Sequence, residues 1–310
     1  MIELSSPPAL RVFRFNDVDE FRQSVRAVDI RFTPLARRIS ASQTILNLPG
    51  CDINVVTSFP RVLDAQLKPG CTAVGFSMSD RNLLRMNGID AGMSFLAIGR
   101  GGGGYTAVER IPCQFGSVMF TPEVLERGWP KPGQDFLVFE VTADAQQKLR
   151  GLVLEVMNFA ATSPDELAMP GASEGIKESL LSAVDHAFAS RVSATSLGSL
   201  HAARFMEIVR KAEEIISANL RNPIYSEELA REVGVSVRTL HSAVLKHRGI
   251  SLHRYLRLKR LWLVRQRLRE GDISVKACAL AHGFWHLGEF SKSYRRYFGE
   301  APSETLERAR

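Results

Sequence analysis

"HGFWHLGEFSKSYRRYFGEAPSE", residues 282–304, brings two histidines, six aromatics and three cations after Glu289 into one short span. Three uses compete for these side chains: a metal site, a basic segment lying on a membrane, or a surface that reads DNA. The spacing separates them. Phe290, Tyr294 and Phe298 recur every four residues, which sets them on one face of a helix, with Phe284 just before it. These four aromatics are expected in a core. Gly288, Ser291, Lys292 and Arg295 then face outward. His282 and His286 are four apart, but Gly283 between them marks a turn rather than one helix face, and no cysteine or acid stands at zinc spacing. No metal and no cofactor are expected.

The same plan occurs once more upstream. In "YSEELAREVGVSVRTLHSAVLKHRG", Ser226 is placed to cap a helix that buries Leu229, Ala230 and Val233, Gly234 makes a tight turn, and Ser236 caps the next helix. Leu240 and Val244 face inward there. Arg238, His241, Ser242 and Leu245 take the other face. This is the helix-turn-helix pattern, whose second helix enters a major groove with its N-terminal residues at base edges. A basic helix of nineteen or so positions, "SLHRYLRLKRLWLVRQRLREGD", joins the copies, and Ile273, Val275, Cys278 and Ala279 open the second one. Before the first copy, Phe205, Ile208, Val209, Ala212, Ile215, Ile216 and Leu220 form a further stripe that ends at Pro223.

Two helix-turn-helix units joined by a basic helix, closing with G-F, a variable stretch, F-S, an aromatic and F-G-x-x-P-S, resemble the AraC/XylS family of transcription regulators over roughly residues 203–308. The resemblance implies sequence-specific binding to promoter DNA by two recognition helices on one face of the duplex, activation of transcription, and RNA polymerase as a partner. Carried over by position, it places Arg238, His241 and Ser242 of the first helix at bases. In the second helix it places His286, Leu287, Gly288, Ser291 and Lys292 there. Arg295, two turns down, falls beyond the groove floor and is expected at phosphate. Two positions depart from the family pattern: His286 stands where a serine or aspartate cap is common, and Gly288 removes a side chain from an exposed reading position. Cys278 replaces the usual isoleucine, in keeping with a buried thiol.

Charge agrees with this division. Residues 201–310 hold 21 Lys and Arg against 12 Asp and Glu, net +9, whereas residues 1–200 hold 19 against 21, net −2. The basicity belongs to the second part, where an anionic polymer is the expected partner. A length of 310 residues suits two domains, and "SRVSATSLGSL", residues 190–200, reads as the linker between a domain of residues 1–189 and one of residues 201–310.

In the first domain, short apolar runs such as "FLAIG" and "FLVFEV" alternate with glycine and proline from Leu10 to Val141, predicting strands in a cupin-like barrel or sandwich. Asp17 is placed to cap a short helix bearing Phe21 and Val25. "GRGGGGYTAVER", residues 99–110, lacks the lysine and the strand-to-helix setting of a phosphate loop and is expected to be a hairpin tip. After Asp144 the period changes to that of helices: Leu149, Leu152, Val153, Val156, Met157 and Ala160 form one stripe. A second helix, with Ser173 as its cap, carries Ile176, Leu180, Leu181, Val184 and Phe188. These helices either cover the strands or pair between subunits, and a homodimer through residues 145–189 is one expectation.

Weaker likeness to the family's sensor half implies a small organic effector bound in the first domain. Gating by a protein partner or by abundance is the alternative. An enzyme targeted to DNA is a third, against which no nucleophile–base or paired-carboxylate arrangement stands out in residues 1–190. Cys51, Cys71, Cys113 and Cys278 lack CxxC spacing and suit buried thiols in a reducing compartment. No run of about 18 apolar residues spans a bilayer. The N-terminal "MIELSSPPAL" lacks the features of a signal peptide, so a cytoplasmic protein is expected.

Overall fold

The computed structural model describes residues 9–24, 27–36, 39–79, 84–169, 171–192, 200–219 and 224–310. Val25, Leu220, Pro223 and residues 193–199 of the expected linker lie outside them. The chain divides into two compact units, one of Met1–Phe32 with Ile39–Leu197 and one containing Gly198–Arg310.

Among the described residues, the first unit forms two sheets. A seven-stranded antiparallel sheet has the order β1 (Ala9–Phe15), β3 (Ala41–Leu48), β4 (Cys51–Thr57), β11 (Gln114–Phe120), β6 (Thr72–Ser77), β9 (Phe95–Arg100), β12 (Leu137–Glu140). A five-stranded sheet has the order β2 (Val28–Pro34), β5 (Arg61–Leu67), β10 (Gly104–Glu109), β7 (Leu84–Met86), β8 (Ile89–Asp90). The sheets do not close on each other, so of the barrel and the sandwich the chain forms the sandwich. The glycine run is not the expected hairpin tip: it carries the chain from β9 of the large sheet to β10 of the small one, two strands that do not pair, with Gly102 at φ +83°. Asp17 accepts the Glu20 amide and so caps α1 (Val18–Ser24).

At β6 the large sheet is covered on both faces, and that strand is buried at every residue. Its inner face meets the small sheet through Ala73, Phe95, Ala97 and Val138 against Leu63, Ala65 and Met86. Its outer face, Leu46, Ile53, Val74, Leu96 and Val118, is covered by α2 (Ala143–Thr162) and α4 (Ala172–Ala189), with the short α3 (Pro164–Leu167) between them. The helical stripe of Leu149, Val153, Val156, Leu180, Val184 and Phe188 therefore covers the sheet. Ser173 is not the cap of α4: Gly171, in the left-handed region at φ +86°, holds that position, which only glycine adopts without strain.

The second unit contains α5 (Leu200–Ala218), α6 (Ser226–Val233), α7 (Val237–Arg248), α8 (Leu252–Arg269), α9 (Val275–Ala281), α10 (Leu287–Phe298) and α11 (Pro302–Glu307). Ser226 is the first helical residue of α6 rather than its cap, Tyr225 having the extended cap conformation. Ile273 precedes α9, which Ser274 caps by accepting the Ala277 amide. No helix among the described residues is long and apolar enough to cross a membrane.

Candidate nucleic-acid interface

The first helix-turn-helix is built as its sequence requires. Gly234 closes α6 at φ +80°, and the chain enters α7 through Ser236, whose Oγ accepts the Thr239 amide at 3.1 Å. Leu240, Ala243 and Val244 are buried, and α7 packs against α5, α6 and α8. Arg238 and Ser242 stand exposed on the opposite face, and His241 is half-buried.

What anchors this unit escaped the sequence reading. Glu213 of α5 is buried and accepts hydrogen bonds from the Tyr255 hydroxyl and, at 2.9 Å, from Lys259 Nζ, with Arg248 Nη2 at 3.7 Å. Burial alone would raise its carboxyl pKa. Lys259, Arg248 and these hydrogen bonds more than offset that and hold it at about 2. The only advance signal was a carboxylate between Ala212 and Ile216 on an apolar stripe, where a buried acid requires a cationic partner.

The second unit is held by rings. Phe290 packs against Phe284 at 5.0 Å and Tyr294 at 5.7 Å between ring centroids, Tyr294 against Phe298 at 4.5 Å, and Trp262 of α8 crosses Phe298 edge-on at 4.8 Å. The Tyr294 hydroxyl donates to Thr305, which donates to the buried Glu300, itself paired with Arg265 and Arg308. Cys278 lies in the same core. His282 donates from Nδ1 to the Cys278 carbonyl at 2.8 Å and closes the end of α9, an assignment of its proton fixed by that acceptor.

Gly283, at φ +76°, makes the turn, and α10 starts at His286, whose side chain caps nothing. His286, Gly288, Ser291, Lys292 and Arg295 are exposed, so α10 presents the outward face expected of it. Leu287 differs: it is half-buried and packs against the aromatic core, which turns much of its side chain away from any base. Lys292 is not a lone cation, since Glu289 pairs with it at 3.2 Å. Arg257 of α8 donates to Ser293 Oγ at 2.6 Å and ties α10 to the connecting helix. The exposed residues on or beside these helices that were not assigned to the site from sequence include Glu289, Arg296, Trp285 at 67% exposure and Leu245 at 54%. Trp285 adjoins buried Phe284 in sequence, and an aromatic repeat alone does not distinguish the two.

The Helix-turn-helix domain family matches residues 229–308. The chain is 38% identical over 98 residues to the XylDLEGF operon transcriptional activator 1 of Pseudomonas putida, covering 31% of this chain and 30% of that protein. It is 35% identical over 102 residues to the probable thc operon regulatory protein of Rhodococcus erythropolis, covering 32% and 31%. A probable AraC family transcriptional regulator from Rhodopseudomonas palustris CGA009, of solved structure, is 42% identical over 33% of this chain and 97% of that one, with a TM-score of 0.31. The chain belongs to the AraC/XylS family. The membership rests on α5 to α11, and the match spans about a third of the length of these curated relatives. α7 and α10 are the second helices of the two helix-turn-helix units, and α8 connects the units.

The four thiols of this AraC/XylS chain are all free and buried. Burial pushes Cys51 and Cys113 up to about 12 and Cys278 to about 11, and it raises Cys71 as well. At neutral pH they are protonated and poorly nucleophilic, as structural thiols are.

Proposed function

We propose that the chain is a sequence-specific transcription regulator that activates from promoter DNA, with α7 and α10 entering successive major-groove segments and the sandwich gating them by binding a small organic effector. The observation that carries the reading is the pairing, within one domain of net +9, of two turn-linked helices that each bury one face and leave polar and cationic side chains on the other. Arg238 in the first turn of α7 is the base reader, where a guanidinium can meet guanine O6 and N7 together. His241, Ser242, His286, Gly288, Ser291 and Lys292 line the two reading faces, with Arg295 at phosphate. Leu287 serves the core more than the groove. Activation follows the names of the Pseudomonas relatives, with RNA polymerase as the second partner. A homodimer through residues 145–189 would use the outward faces of α2 and α4, where Leu154 is exposed, because the inward stripe covers the sheet. The setting is cytoplasmic.

Selection of bound duplexes from a random pool by the full chain, followed by titration at several salt concentrations, tests the DNA reading. A bipartite site with centres one helical turn apart, about 10 base pairs, is expected. Affinity should fall with salt by a slope of about 0.9 per phosphate neutralised. A flat salt dependence or no enriched sequence would overturn it.

A further inference from the structure

Inward positions of a packed sandwich are normally filled by interdigitating side chains. Here they are not. Val28, Ile30 and Phe32 alternate inward on β2, and Phe115, Ser117 and Met119 do so on β11, yet all six keep partial exposure. The inner positions around them are small, with Ala73 and Ala97 on the large sheet and Ala65 and Ala107 on the small one. Across from Ser117 the paired residue is Gly75, over which the Phe115 ring lies. Tyr105 on β10 is also partly exposed, although burial pushes its hydroxyl up to about 12, as suits the wall of an enclosed space.

A polar anchor stands at one end. Arg61 and Glu109 are register partners on β5 and β10, both buried. Arg61 donates from Nε and Nη2 to the two carboxylate oxygens, each at 3.0 Å, and Ser58 donates to the same carboxylate. Its guanidinium lies 4.6 Å from the ring centre of Phe32, 5.3 Å from Phe21 and 5.4 Å from Phe59. Nη1 is buried and has no hydrogen-bond partner among the described residues. An unsatisfied cationic donor among rings is costly unless an acceptor arrives.

We infer that the space between the sheets is a ligand cleft for a small uncharged molecule with an apolar body and one carbonyl-type acceptor, which Arg61 Nη1 receives. The charge state of the anchor sets the class: Arg61 and Glu109 cancel, so a ligand carboxylate would bury a second anion beside one guanidinium, whereas an amide or ketone oxygen adds none. The inference rests on the effector reading proposed above and narrows it.

Two measurements on the full chain test it. Ser117→Leu adds apolar volume at the inner face of β11 without touching Arg61. If the cleft exists, the melting temperature stays within about 2 °C of the parent; a packed interior would lose more than about 4 °C. The second uses matched probes at millimolar concentration: phenylacetamide with phenylacetate, and cyclohexanecarboxamide with cyclohexanecarboxylate. At least one amide should raise the melting temperature, its acid should not, and Ser117→Leu should abolish the rise. The double substitution Arg61→Leu with Glu109→Leu removes both charges together, so that neither is left buried alone, and should abolish the preference for the amide. A large loss of stability in Ser117→Leu, binding of the acids alone, or binding of no probe overturns the inference. Should Ser117→Leu reveal a packed interior while small metabolites still shift affinity for the selected DNA site, the gating reading stands and the cleft falls.

Discussion

The two helix-turn-helix units share a plan and differ in what holds them. In the first, α7 is fixed by a buried carboxylate that gathers Tyr255, Lys259 and Arg248 from α8 and the end of α7. In the second, α10 is fixed by a column of rings, Phe284, Phe290, Tyr294 and Phe298, and the buried carboxylate, Glu300, stands just past the helix end with Arg265 and Arg308. The difference teaches that the helix-turn-helix geometry asks only for a rigid support. An ionic hub and an aromatic column both supply one, but they respond differently to pH and to truncation.

The largest expected effect breaks the ionic hub. Glu213→Ala leaves Lys259 and Arg248 without their anion and should cost about 3–5 kcal/mol. Hydrogen exchange should show protection lost at α7 amides first, and equal loss in α10 would mean that the two units open as one. Phe290→Ala, which hollows the ring column, should cost a similar 3–5 kcal/mol with the order of loss reversed. Acid separates them further. The Glu213 pKa is depressed on folding, so its stabilisation is present above the ordinary value of 4.5 and is lost as pH falls toward about 2. Glu213→Gln should flatten that acid limb while leaving α10 unchanged.

A smaller effect concerns reading. Arg238→Ala should weaken the selected site by about 1–3 kcal/mol and relax one base position. Competition against base-substituted duplexes measures this, and an equal loss on all sequences would reduce Arg238 to a phosphate contact. The caps differ in sign. Ser236→Ala should destabilise by about 1 kcal/mol in urea titration, whereas His286→Asp, supplying the cap that α10 lacks, should stabilise by about 0.5–1 kcal/mol. Least of all, Arg295→Ala should weaken every sequence alike and reduce the salt slope by about 0.9.

The outline of the second domain was legible because its determinants are local. Ser236 and Ser274 at caps, Gly234, Gly249, Gly283 and Gly299 at helix ends, and rings four apart each state their conformation within a few residues. The outward faces of α7 and α10 follow from the same period. The turn before α10 was less legible: Phe284 and Trp285 are neighbours of like chemistry, and only the packing of α10 on α8 and α9 buries one and exposes the other.

The sequence by itself determined the elements, the two-domain charge division and the double helix-turn-helix, since helix period, capping chemistry and net charge act over short distances along the chain. Tertiary structure alone decided that the strands form two unclosed sheets and that α2 and α4 cover one of them. It also decided that Glu213 finds its cations 35 to 46 residues away, and Arg61 its carboxylate 48 residues away. Those outcomes depend on which distant groups meet in a medium where an unpaired charge is expensive, and no local pattern of residues records that meeting.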